Sequence, residues 1–351
     1  MLIEDSMKRN PRHPVQRVRL SWLCLCLMRM GLTACSSSSK EQQFLRNVEQ
    51  LTTPAMGFGR AGEAYFSPDM RHIIFQAAPD ATTGYQMYVM PLAVGNRKPH
   101  RVSTGQGECT CGYFRPDGKK ILFASSHLGP EDPAASDEAK YQAKGRRYAW
   151  NFNPHMDIFE SDRDGSNLRR ITTADGYDAE GAYGPDGRQI AFASNRTGDL
   201  EIWIMNADGS DARQLTHAPG YDGGPFISPD GKRIIFRADR RGDDKLQIFV
   251  IDIDGANERQ LTDDDAVNWG PYWHPNSRSV IYATSRHGHH NYELYLLNID
   301  NGDEQRITFT PGFDGLPVFS PDGLKLMWTS KRGPDNTSQV FMADFTLPAG
   351  F

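Results

Sequence analysis

Six proline-centred turns recur along this chain, and their fixed register limits what it can fold into. They are Ser67-Pro68-Asp69-Met70, Arg115-Pro116-Asp117-Gly118, Gly184-Pro185-Asp186-Gly187, Ser228-Pro229-Asp230-Gly231, His274-Pro275-Asn276-Ser277 and Ser320-Pro321-Asp322-Gly323. Proline presets the first corner of a tight turn, while Asp, Asn and Gly suit the next. Seven residues after each proline stands an aromatic: Phe75, Phe123, Phe192, Phe236, Tyr282 and Trp328. A second aromatic follows in each repeat: Tyr88, Phe159, Trp203, Phe249, Tyr295 and Phe341. Short β-branched and aromatic runs between turns read as strands.

Dipeptides that favour tight hairpins come next, at Asp164-Gly165, Asp208-Gly209, Asp254-Gly255 and Asn301-Gly302. A last strand ends in Val102-Ser103, Ile171-Thr172, Leu215-Thr216, Leu261-Thr262 or Ile307-Thr308. Each unit is therefore a four-stranded antiparallel sheet of about 45 residues, the size of a propeller blade. The sixth unit stops after Gln339-Val340-Phe341-Met342, while Val48-Glu49-Gln50-Leu51-Thr52 matches Ala212-Arg213-Gln214-Leu215-Thr216. The expectation is an all-β, six-bladed propeller closed by an N-terminal strand in its last blade. Closure hides sheet edges that would otherwise pair with other chains. Composition agrees, with 11% aromatic residues, 33 Gly and 22 Pro.

The front end reads as a targeting segment. Lys8 to Arg19 is basic, Leu20 to Met28 is apolar, and Leu32-Thr33-Ala34-Cys35 precedes a serine run. This order makes a secretory signal, and the apolar run is too short to span a bilayer. Leu-Thr-Ala-Cys resembles a bacterial lipobox, which implies cleavage before Cys35 and lipid on its sulfur. The expected division is a signal peptide at 1–34, a linker at 35–46 and the propeller at 47–346. In the second repeat the proline-to-aromatic distance grows to 43 residues, which sets an insertion at 128–154. Its end carries Arg147, Tyr148 and Trp150, residue types common in binding hot spots.

Ser-Pro-Asp-Gly before a strand, an aromatic, and then Ser and Arg close together (Ser194-Asn195-Arg196, Ser285-Arg286, Ser330-Lys331-Arg332) resembles the WD-like repeats of the TolB β-propeller family. The resemblance covers roughly Val48 to Phe345 and takes a propeller-only lipoprotein form. It implies a periplasmic protein that binds an envelope protein or peptide at the propeller mouth. The lipid anchor to a membrane at Cys35 is implied by the lipobox instead and departs from that family, whose members are soluble and carry a separate α/β domain before the propeller.

Residues at one repeat position form a ring. Seven before the proline stand Cys109, Asp178, Asp222, Asn268 and Asp314; five before it stand Glu63 and Glu180. Carboxylates gathered at one channel mouth repel one another, and a calcium ion or a basic partner group would relieve this. Turn capping by each Asp separately is the alternative. Cys109-Thr110-Cys111 reads equally as a soft-metal pair, a small-loop disulfide or packed small residues. The net charge is −5, with the basic leader included, so a nucleic-acid partner is not expected. No Gly-x-Ser-x-Gly elbow, His-Glu-x-x-His or P-loop occurs. The leading expectation is a non-enzymatic binding scaffold. A metal-dependent propeller enzyme such as a polysaccharide lyase is the alternative, with His155, His274 and His287 as candidate ligands. An accessory subunit of a peptidase or glycan-degrading system is another.

Overall fold

The computed structural model describes residues 39–130 and 152–351. Cys35, Arg147, Tyr148 and Trp150 lie outside the described residues. The strands assemble into six separate four-stranded sheets. Five are continuous in sequence. Their innermost strands are Arg60–Phe66, Cys109–Phe114, Asp178–Tyr183, Asp222–Ile227 and Asn268–Trp273. The sixth sheet joins Asp314–Phe319, Lys325–Ser330 and Gln339–Phe345 to the N-terminal strand Leu45–Gln50. That strand runs antiparallel to the last one, with Gln50 opposite Phe341.

The two aromatic positions of the repeat are cross-strand neighbours in every blade. Phe75 faces Tyr88, Phe123 faces Phe159, Phe192 faces Trp203, Phe236 faces Phe249, Tyr282 faces Tyr295, and Trp328 faces Phe341. The six residues that follow the prolines are at most 1% exposed. Each such burial contributes about 1.5–3 kcal/mol, which explains why the register is kept so strictly.

The closing Ser or Thr of each unit has an equally regular task. Its hydroxyl accepts from a backbone N–H of the third strand: Ser103 from Met87, Thr172 from Ile158, Thr216 from Ile202, Thr262 from Ile248 and Thr308 from Leu294. Thr52 does the same for Val340. The hairpin dipeptides are turns, with Gly165, Gly209, Gly255 and Gly302 at φ between 79° and 93°, a region that favours glycine.

Each innermost strand carries a register shift between the residues six and three positions before its proline. The residue five before the proline has positive φ in all six blades: Glu63 46°, Cys111 55°, Glu180 56°, Gly224 60°, Gly270 60° and Leu316 51°. A bulge of this kind re-aims a side chain. Here all six bulge positions line the central channel.

Candidate functional site

Two cavities occupy the channel. Where the innermost strands begin, a funnel of about 540 Å³ is lined by Glu63, Cys111, Glu180, Gly224, Gly270 and Leu316 among others. On the other side a smaller space of about 260 Å³ is lined by Pro68, Pro116, Pro185, Pro229, Pro275 and Pro321, one from each repeat turn. Phe226 and Tyr272 line both. Between the two spaces the rings of Tyr65, Tyr113, Phe226 and Tyr272 meet across the axis. Tyr65 lies 5.2 Å from Tyr113, Phe226 lies 4.9 Å from Tyr272, and the hydroxyls of Tyr113 and Tyr272 are 3.2 Å apart. These ring contacts close the floor and make the funnel blind, and burial raises the pKa of all three tyrosines.

The funnel is chemically lopsided. Glu63, Cys111 and Glu180 supply polar groups from blades one to three, while Gly224, Gly270 and Leu316 follow in blades four to six. Arg237 crosses the gap from blade four. Its guanidinium donates to Glu180 at 2.7 Å and to the Tyr221 hydroxyl at 2.5 Å. Burial works against its charge, and Glu180 overrides this and raises its pKa. Glycine at 224 is what makes room, because a Cβ there would overlap the Arg237 guanidinium. The Gly224 amide also donates to Glu180.

Pairing between the first two strands explains which side chains enter the funnel. Gly62 lies opposite Gln76, Gly223 opposite Arg237 and Gly315 opposite Thr329. In the other blades the second strand has alanine there, Ala124, Ala193 or Ala283, facing Thr110, Ala179 or Trp269. The three residues opposite glycine, Gln76, Arg237 and Thr329, all line the funnel. Sequence reasoning missed Gln76 and Arg237, although a lone Arg in Ile234-Ile235-Phe236-Arg237-Ala238 was a visible signal.

The expected acidic ring is not formed as a shared cluster. Asp178 accepts from Arg196 at 2.7 Å, Asp222 from Arg240, and Asp314 from Arg332 at 2.7 Å and from the Trp328 indole at 3.0 Å. Each partner Arg lies 18 residues after its Asp. None of the three Asp residues lines the funnel, and neither does Asn268, whose amide donates to Gln247 and Asp264. Arginine thus supplies the positive charge that the sequence reading assigned to calcium or a partner. Burial still raises the pKa of Asp222 and Asp314 against these arginines. Glu63 and Glu180 do face the funnel.

Cys109 and Cys111 are free thiols. Cys109 is buried beside the Ser125 hydroxyl at 3.3 Å, and burial pushes its pKa up to about 11. Burial, then the Glu63 charge, holds Cys111 well above the ordinary thiol range. Among the described residues the two form no disulfide. The candidate histidines are also separate. His274 packs on Phe319 at 4.9 Å, His287 bonds the Tyr295 hydroxyl at 2.8 Å, and His155 packs beside Gly129. Among the described residues no group of three or more His, Cys, Asp or Glu is arranged to hold a metal.

At the rim, Phe152 stacks on Tyr221 with ring centres 5.9 Å apart and meets Tyr177 edge-on at 5.3 Å. The C-terminal end of the insertion therefore returns to the chain beside the funnel mouth.

Residues 147–290 match the model of the TolB β-propeller domain family. No curated protein matches the chain. A putative TolB from Agrobacterium tumefaciens is similar in fold, with a TM-score of 0.58 and 20% identity over 82% of this chain and 91% of that one. TolB from Acinetobacter baumannii gives 0.55 and 20% identity over 82% of this chain, which spans 64% of that protein. An oligogalacturonate lyase from Vibrio parahaemolyticus gives 0.53 at only 12% identity, covering 87% and 94%. A fold shared by binding proteins and a lyase does not by itself assign an activity. Residues 147–290 therefore match the TolB β-propeller domain, and the chain as a whole is similar to TolB propellers in its repeat register and six-bladed fold.

Proposed function

We propose that this chain is a non-enzymatic binding scaffold of the bacterial cell envelope, which takes a segment of a partner protein into its funnel. The observation that carries the reading is the blind funnel itself: about 540 Å³, floored by four aromatic rings, apolar on one side and acidic on the other. Concave, largely pre-formed sites with a few placed polar groups are the usual form of a ligand pocket. Phe152, the first described residue after the insertion's Arg147, Tyr148 and Trp150 in sequence, stacks on Tyr221. A lyase reading has less support, because His155, His274 and His287 contact different surroundings. Cys35 would carry a lipid anchor and tether the propeller to a membrane. Among the described residues no helix is long and apolar enough to cross one.

Leu316→Trp tests the reading. Leu316 already holds positive φ as a non-glycine residue and lines the apolar side of the funnel. Filling that side leaves Glu63, Glu180 and Arg237 untouched. A discrete protein that co-purifies with the wild-type chain from the envelope should be lost with the variant at unchanged thermal stability. Equal recovery with both proteins would reject the funnel as the binding face.

A further inference from the structure

We infer that the acidic side of the funnel is a receptor for a primary ammonium group, supplied by a lysine side chain or a free α-amine of the bound segment. This rests on the funnel being the binding face and adds the chemistry that it selects.

Two side chains carry the inference. The first is Glu63, aimed into the channel by its bulge. Its carboxyl has long contacts to the Tyr65 hydroxyl at 3.5 Å and the Thr110 hydroxyl at 3.4 Å and a hydrogen bond with Cys111, and burial raises its pKa although Cys111, Arg237 and Thr110 pull it down. Among the described residues no Lys or Arg ion-pairs with it. The contrast with Glu180 is direct, since that residue at the same repeat position has both Arg237 and the Gly224 amide. The second is Gln76, from the strand beside it, opposite Gly62. Gln76 is only 9% exposed, lines the funnel, and its Oε1 has no hydrogen-bond donor. Buried acceptors without partners are rare and costly in native structures. A carboxylate without a counter-ion and a carbonyl without a donor, on adjacent strands of one blade, call for a ligand that brings positive charge and several N–H groups together.

An ammonium group does this: it is compact, cationic and carries three donors. The lopsided lining suits its carrier, since Leu316, Phe313 and Trp269 offer apolar surface to an aliphatic stem. A divalent cation fits poorly. Calcium takes six to eight oxygens, and the Cys111 thiol beside Glu63 is held neutral by burial.

The test is calorimetry on the purified protein with three probes. One is an acetylated and amidated Gly-Gly-Lys-Gly-Gly peptide, one is its Nε-acetyl-lysine form, and one is an amidated tetraglycine with a free N-terminus. The first and third separate a lysine side chain from an α-amine. Saturable binding of either amine is expected, with loss of about tenfold or more in affinity when that amine is acetylated or when Glu63→Gln removes the charge. Gln76→Met keeps the size and removes the acceptor. It should weaken the peptide severalfold and raise the melting temperature, because the orphaned carbonyl is gone; a purely structural glutamine would give a lower melting temperature. Near-ultraviolet dichroism establishes that each variant is folded. Absence of binding by both amines to the folded wild type, or equal affinity for the acetylated peptide, overturns the inference. Partner capture that Leu316→Trp abolishes, together with indifference to amines, would sink the ammonium receptor and leave the scaffold standing.

Discussion

The hydroxyl of Thr52 donates to the side-chain carbonyl of Gln339 at 2.7 Å, and the Val340 amide donates back to that hydroxyl at 2.9 Å, across 288 residues of chain. The same pair of bonds is local elsewhere. Thr216 joins Glu201 and the Ile202 amide, and Thr308 joins Glu293 and the Leu294 amide. Blade six is thus built like its siblings, although its parts come from opposite ends of the sequence.

Thr52→Val removes both bonds from a fully buried site. It should destabilise the whole propeller by about 1–3 kcal/mol, the cost of stranding buried polar groups. Thr216→Val should cost a similar amount. Urea titrations of the two variants measure this. A Thr52→Val protein as stable as wild type would mean that closure contributes nothing to global stability.

Arg332 is 9% exposed on its side chain and bonds both Asp314 and Glu41. Arg332→Met leaves Asp314 buried without its counter-ion. Removing one partner of a buried pair costs about 3–5 kcal/mol. Asp314→Asn combined with Arg332→Met should recover part of that loss, since the unpaired charge on Asp314 is then gone and only Glu41, still held by the Phe309 amide and the Thr310 hydroxyl, lacks its arginine. The readout is a double-mutant cycle on unfolding free energy; strict additivity would contradict the pairing.

These pairs mark where the sequence was and was not legible. The aromatic register, the hairpin glycines and the N-terminal closing strand were visible, because they are repeated local signals. The ring of aspartates was visible too, but its meaning was not. Asp178, Asp222 and Asp314 each have an Arg 18 residues on, whereas blade two has Cys109 with His127 and blade one has Ala61 with Pro79. That match signalled intra-blade pairing in these blades, while blade five departs from it, with Asn268 and an Arg286 that pairs with Asp264 and Glu304 instead. Arg237 and Gln76 were harder. They lie opposite Gly223 and Gly62, and Arg237 reaches over Gly224, cross-strand facts that strand spacing alone does not give.

Glu293 is fully buried, and burial raises its pKa to about 7 against the pull of Thr308 and Arg306. The folded state therefore keeps a proton that the unfolded chain releases near the ordinary value of 4.5. This contribution to stability is present in full below pH 4.5 and is lost as pH rises towards about 7. Glu293→Gln cannot titrate, so the variant should gain on wild type across that window. Melting temperatures of both proteins from pH 4 to 8 check the sign. Wild type gaining on the variant as pH rises would contradict it.

Cys35→Ser should move the protein from the membrane fraction to the soluble periplasmic fraction, because the proposed lipid is the anchor assigned to it. Unchanged membrane partition on fractionation would argue for a different attachment.

The most direct test of the binding face is a photo-crosslinking amino acid placed in cells at one of two sites. Phe313 lines the funnel, whereas Pro229 rings the opposite mouth beyond the aromatic plug. The account predicts a discrete protein adduct from position 313, absent at position 229 and abolished by Leu316→Trp. An adduct from position 229 with none from 313 would contradict it.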